Sequence, residues 1–391
     1  MTVEFYDLAQ RLFAHREGKP VLKVAGALFQ VAGTAIFADA HQDATGAATA
    51  TVGTATGQQV SGKGVRVLRA LAAAGAHLDP AGEPVQLVIA DAATLAVLAG
   101  IARAHSQHPD DAVRAASAVV GWWVDRSGYP GSNAVVNLLS HSRQRYITGA
   151  LPVRERHASF WRGTFGVRDG VGGLIGWATK ISRGDMLPAL ATIHEDDTYT
   201  YRMAAQRFAK GYDWTRPEPP AVAAMGLRMR CDTADLWEAA LLSDRLWRHR
   251  AVHTGHVTGG DTIHATRAFF TIKCPRLDSR LRVGSDVVGW TGGVDSYDRA
   301  TLFYGHVHAA HAVNGALTLT IAGVTYAQRP NPGYWVTLMP APPNERTVRM
   351  GRARYRQLQF RGDSWIASGK TPGVRRRDVP LDVLCAAAET E

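Results

Sequence analysis

The sequence predicts an α/β chain in three parts: a mixed sheet with covering helices in residues 1–150, a helical region in 151–256, and a small β-barrel in 257–391. Three observations carry that expectation. Up to residue 145, β-rich runs give way to alternating strand and helix patterns. From 151 to 256, apolar residues recur at helical spacing. After Gly259, short strands follow one another between Gly, Asp and Asn turns. At 391 residues the chain has room for two or three cores.

The first part opens with EFYDLAQRLFAH, which places Phe5, Leu8, Leu12 and Phe13 on one helical face, expected to cap the domain behind it. VLKVAGALFQVAG, TAIFADA, ATATVGT and GQQVSG are β-rich and broken by Gly, the pattern of an antiparallel meander. GVRVLRALAAAGAHL has helical apolar spacing and stops at LDPAGEP. VQLVIAD is a continuous apolar run, as in a strand buried on both faces, and AATLAVLAGIARAH behind it is helical. AVVGWWVD is expected as a further strand ending in Asp125, and SNAVVNLLSHSRQRYI as a further helix. Three strands followed by helix, strand, helix, strand and helix imply a mixed sheet.

Two of these strands deliver an Asp at their C-terminal ends, Asp39 and Asp91. Carboxylates on a rigid frame are what a hard cation such as Mg²⁺ requires, whereas a single Asp at a strand end more often caps a turn. Residues 20–145 resemble the ribonuclease H-like fold at three places. IFADAHQDATGAATATV is similar to the first strand and hairpin of that family, VSGKGVRVLRALAAA to its lead-in and first helix, and WWVDRSGYPGSNAVVNLLS to its last strand, loop and final helix. The resemblance implies two Mg²⁺ or Mn²⁺ ions clamping a phosphodiester, held by about four carboxylates. Two of those carboxylates fall on Asp39 and Asp91, the metal ligands that the resemblance assigns. The other two positions fall at or near Arg66, a cation, and Asn137, which is neutral. Asp43, one turn past Asp39, and Asp125 are the substitutes that a catalytic site would need. The implication is a ribonuclease H-like domain without its activity; a divalent-metal nuclease using Asp39, Asp91, Asp43 and Asp125 is the alternative.

The helical region places Trp161, Trp177, Trp214, Trp237 and Trp247 among Arg and Lys, a composition that serves either base stacking or helix cores. TRPEPPAV marks a break within it. The strands after Gly259 suggest a closed barrel of the SH3-like or OB kind, a scaffold that can also carry protein partners. Positive charge accumulates here: residues 257–391 hold 17 Lys and Arg against 11 Asp and Glu, whereas residues 1–150 hold 12 against 11. Arg346, Arg349, Arg352, Arg354, Arg356 and Arg361, then Arg375, Arg376 and Arg377, form an Arg-rich tail suited to a phosphate backbone. A nucleic acid of unspecified type is therefore the expected partner. A structural or assembly protein of a mobile element is a third reading.

Hydrophobic content of 46% with 20% charged residues excludes wholesale disorder, and no apolar run reaches the roughly 20 residues of a membrane span. MTVEFYDLAQRLF lacks the basic start and apolar stretch of a signal peptide, so a cytoplasmic location and no membrane partner are expected. Cys231, Cys274 and Cys385 lie far apart, outside the spacing of a disulfide framework or a thiolate zinc site. There is no GxxxxGK[ST] phosphate loop, and GVGGLIG lacks the preceding buried strand of a dinucleotide site.

Overall fold

A computed structural model describes residues 2–313, 315–344, 348, 350 and 351. The chain divides into two units, Met1–Arg216 with Arg230–Pro343, and Pro217–Met229 with Asn344–Glu391. Apart from residues 220–229 of one helix, the features below belong to the first, which is mixed α/β and contains a mixed five-stranded sheet and a closed six-stranded barrel.

The first helix, α1 (Thr2–Glu17), is followed by a short strand β1 (Val21–Leu22). The hairpin strands β2 (Ile36–Gln42), β3 (Ala48–Thr54) and β4 (Val60–Lys63) come next, then helix α2 (Val65–Ala73) and strand β5 (Leu87–Ile89). Helices α3 (Ala92–Ala104) and α4 (Asp111–Arg126) precede strand β6 (Val135–Asn137), helix α5 (Leu138–Arg145) and strand β7 (Tyr146–Ile147), which pairs with β1. The sheet order is β4-β3-β2-β5-β6. β2, β3 and β4 are antiparallel neighbours, while β5 and β6 run parallel to β2.

Alternation along the strands sorts side chains to two cores. Ile36, Ala38 and Ala40 join Leu87 and Ile89 against α2, α3 and α4, where Leu68, Leu98 and Trp123 are fully buried. Burying each such side chain is worth about 1.5–3 kcal/mol. Phe37, Val88 and Val136 face the other way, onto Trp161, Leu174 and Trp177 of helices α6 (Ala158–Phe165) and α7 (Gly170–Ile181). The second core therefore runs through residue 150, with helices from the expected connector as its lid.

One strand expectation is corrected. AVVGWWVD lies inside α4, because Val113, Ala116, Val120 and Trp123 share one buried helical face, and the indole of Trp123 donates to the Val85 carbonyl (2.7 Å). The last sheet strand is instead β6, twelve residues further on than Trp123. Asp125 consequently sits in the last turn of a helix, paired with Arg230 (2.8 Å), not at a strand end.

The expected role of α1 is also corrected. Its Phe5, Leu8, Leu12 and Phe13 face is exposed, and the helix is held by the opposite, polar face. Tyr6 stacks on His253 at 4.4 Å, Asp7 pairs with Arg250, and Arg11 donates to both oxygens of Glu155 (2.8 Å each).

Helices α8 (Leu190–Ala209), α9 (Pro220–Ser243) and α10 (Arg245–His253) lead to the barrel. Leu190 and Ile193 pack with Leu236 and Ala240 in a core of their own. The barrel strands are β8 (Thr258–Ala265), β9 (Phe269–Cys274), β10 (Asp286–Thr291), β11 (Phe303–Val313), β12 (Ala316–Ala322) and β13 (Trp335–Pro340). They close in the order β10-β11-β12-β9-β8-β13, every pair antiparallel, so no edge is left open. Phe270, Ile272, Leu319, Ile321, Val336 and Leu338 fill the interior. Val288, Trp290 and Met339 point outward and are covered by Leu242, Trp247 and Ala251 of α9 and α10. Among the described residues, no helix is long and apolar enough to cross a membrane.

Candidate functional site at the end of the mixed sheet

Asp39 follows Phe37 by two residues on β2 and so projects on the side of α6 and α7. Arg162 of α6 meets it there, with a guanidinium nitrogen 3.6 Å from the Asp39 carboxylate. Arg162 is itself largely buried: it lies over the Trp177 ring at 5.7 Å, pairs with Asp169 at 3.6 Å and donates to the Arg168 carbonyl at 2.8 Å. The local backbone is built for that last contact. Gly170 has φ +77°, and a Cβ on Gly173 would stand 1.7 Å from the Arg168 oxygen, so the GVGG start of α7 requires glycine at 173.

Strand register extends this face. Asp39 pairs with Thr51, and Thr51 with Ser61, whose hydroxyls share a hydrogen bond of 2.8 Å. The next row holds His41, Thr49 and Lys63, with a 3.0 Å contact between the Thr49 hydroxyl and the His41 ring. A cleft of about 350 Å³ is lined by Gln59, Val167, Arg168, Gly170 to Gly173 and Asp169, the second acid paired with Arg162.

The other expected site residues are not gathered here. Ala90, just past the end of β5, faces the α6–α7 core, and Asp91 turns away to cap α3 by accepting from the Thr94 N–H (3.2 Å). Asn137 caps α5 through the Ser140 N–H (3.0 Å). Arg66 is exposed in the first turn of α2. Asp43 closes the β2–β3 hairpin. It accepts from the Thr45 hydroxyl and N–H and the Ala47 N–H, and these bonds, the Thr45 hydroxyl first, hold its carboxyl down at about 2. Asp125 belongs to α4, as above. Each of these acids serves a cap, a turn or an ion pair, which is the ordinary structural use of the residue. Arg346, Arg349, Arg352, Arg354, Arg356, Arg361, Arg375, Arg376, Arg377 and Cys385 lie outside the described residues.

The residues do not fit a two-cation centre. Such a centre draws on about four carboxylates, and the one that faces the open sheet already has a guanidinium as its counter-ion. Among the described residues, no group of three or more His, Cys, Asp or Glu is arranged to hold a metal ion. Comparison with protein-family models, with curated proteins and with solved structures returned no match.

Arg162 is the residue that motif reading misses. The only signal for it is a cation inside ASFWRGTF, next to Trp161 on a helix whose apolar spacing predicts burial. A buried cation needs an anion nearby.

Proposed function

We propose that this chain is a nucleic-acid-binding protein whose mixed sheet is a non-catalytic ribonuclease H-like domain. The observation that carries the proposal is the Asp39–Arg162 pair at 3.6 Å: where a metal-bearing carboxylate would stand, a protein cation stands against it. The mixed sheet, three antiparallel strands beside two parallel ones, supports the family reading, although WWVD, which the resemblance assigns to the last strand, lies in α4. The basic excess of residues 257–391 supports a polyanionic partner.

The test titrates labelled single-stranded DNA, single-stranded RNA, duplex and hybrid at two salt concentrations, and incubates the same molecules with Mg²⁺ and Mn²⁺. Affinity that falls with salt, without cleavage, is the expected result. Absence of binding at low salt overturns nucleic acid as the partner. Cleavage that Asp39→Asn abolishes overturns the non-catalytic assignment and restores the nuclease alternative.

A further inference from the structure

Among the described residues, four aromatic side chains of the barrel region are exposed: Tyr304, Tyr326, Tyr334 and Trp335. The antiparallel registers place all four at one end. Ala265 pairs with Phe270, Ala322 with Phe269, His306 with Ala322, and Thr291 with Val336, so the start of β9, β11 and β13 and the finish of β8, β10 and β12 share that end. Tyr326 lies in the β12–β13 connection, and Tyr334 and Trp335 at the entry to β13.

The platform is anchored on backbone. The Thr262 N–H donates to the Tyr334 carbonyl (2.9 Å), and the Gly333 N–H donates to the Thr262 carbonyl (2.8 Å). The Trp335 ring lies over Gly259, where an added Cβ would come within 2.7 Å of it. Arg329 donates to the Val324 carbonyl (2.6 Å) and to the Thr266 carbonyl (2.9 Å). This ties the β12–β13 connection to the β8–β9 hairpin and sets the guanidinium 5.8 Å from the Tyr326 ring. Tyr326 remains 72% exposed and Tyr334 54%, although both sit on fixed backbone.

The charge at this end is basic. Arg267 at the hairpin tip and Arg299 at the end of the β10–β11 connection are exposed. The acids of that connection are engaged elsewhere: Asp295 by Arg245 and His249, and Asp298 by Arg248. Asp261, paired with Trp335 across the strands, is the exposed acid nearest the rings in register.

We infer that this end of the barrel is a stacking platform for a single-stranded nucleic acid, with Tyr326, Tyr334 and Trp335 receiving bases and Arg267 and Arg299 meeting the phosphates. Exposed rings held on rigid backbone beside cations suit unpaired bases, whose faces are hydrophobic and whose backbone is anionic; a duplex hides those faces. The inference rests on the nucleic-acid reading above and specifies the strand form and the face that takes it.

The experiment measures anisotropy of labelled oligo(dT), oligo(rU) and a duplex of equal length against the full chain and two variants, Tyr326→Ala and Arg267→Ala. Tyr326→Ala removes an exposed ring without touching the core, and a Tyr334→Ala/Trp335→Ala variant is added with its thermal melt as the folding control. The expected result is single-strand affinity above duplex affinity, lowered about tenfold by Tyr326→Ala with the salt slope unchanged. Arg267→Ala should reduce the slope by about one. Preference for one of the two oligomers distinguishes DNA from RNA. Single-strand binding unaffected by Tyr326→Ala, or duplex binding alone, overturns the platform and leaves the general function standing. No binding of any of the three overturns both. Self-association abolished by Tyr326→Ala, with no oligonucleotide bound, would assign the face to protein contact and overturn the platform.

Discussion

Arg126 and Asp197 form a fully buried ion pair between α4 and α8: Nε of Arg126 donates to Oδ1 of Asp197 at 2.8 Å, and the two side chains are 0% and 3% exposed. The Asp197 carboxylate also accepts from the Ser132 hydroxyl (2.7 Å) and the Asn133 N–H (2.8 Å), and the Arg126 guanidinium lies over the Tyr129 ring at 3.8 Å. One carboxylate thus fixes the loop that leads from α4 into β6. Asp197→Ala strands a buried cation and two donors, and should lower unfolding free energy by about 3–5 kcal/mol in urea titration. A loss below about 1 kcal/mol would mean that water reaches Arg126.

Asp91 allows its cap role to be separated from a metal role by one pair of substitutions. Asn is as good an N-cap as Asp but a much poorer ligand for a hard cation. Asp91→Asn should therefore leave the melting temperature nearly unchanged, and Asp91→Ala should cost about 1 kcal/mol. A Mg²⁺-dependent rise in melting temperature of the parent chain that Asp91→Asn removes would contradict the cap assignment.

The strands β2 and β5 are legible in TAIFADA and VQLVIAD, because a short run of β-branched and apolar residues bounded by Gly or Pro has few other ways to bury itself. AVVGWWVD has the same composition but lies at the end of a longer helical repeat, and only the spacing of Val113 and Ala116 upstream reveals it. Most of the barrel is legible because Gly and Asn turns punctuate it, whereas the β8–β9 hairpin turns at Thr266, Arg267 and Ala268 with neither residue. Asp39 is legible as a candidate carboxylate on the sheet, but its partner is not. Arg162 is 123 positions away in sequence, and local periodicity carries no information about which element packs over a sheet face. The acids Asp43, Asp91 and Asp125 show the same limit from the other side. A residue type that suits a metal suits a cap equally well, and only the surrounding N–H groups decide.

The reversed amphipathicity of α1 gives two contrasting expectations. Phe5→Ser and Leu12→Ser remove exposed groups and should change stability by no more than about 0.5 kcal/mol. Glu155→Ala removes the acceptor of Arg11, of the Thr148 N–H (3.0 Å) and of the Thr148 hydroxyl (2.6 Å), and should cost about 2–4 kcal/mol while speeding amide exchange in α1. The Glu155 carboxyl itself is pulled two ways. Burial raises its pKa, and the bonds from Arg11 and Thr148 outweigh that and lower it. Hydrogen exchange by mass spectrometry measures both effects, and equal protection of α1 in all three variants would reject the polar anchor.

His141 gives the fold a defined acid sensitivity. Its ring is buried against Phe29 at 4.7 Å, its Nδ1 has no hydrogen-bond partner, and burial lowers its pKa from 6.5 to about 4. Because the folded pKa is the lower one, the unfolded chain binds the proton first as pH falls. The stabilisation from the neutral ring is complete above about 6.5, is lost progressively toward about 4, and changes no further below it. Over that window one proton contributes a slope of up to about 1.4 kcal/mol per pH unit. His194, which burial also shifts downward, adds to the slope in the same direction. His141→Leu keeps an apolar group against Phe29 and has no proton to take up, so its unfolding free energy should vary less between those two pH values than that of the parent chain. Urea titrations across the window measure the difference. Identical slopes for parent and variant would mean that His141 titrates alike in the folded and unfolded chain.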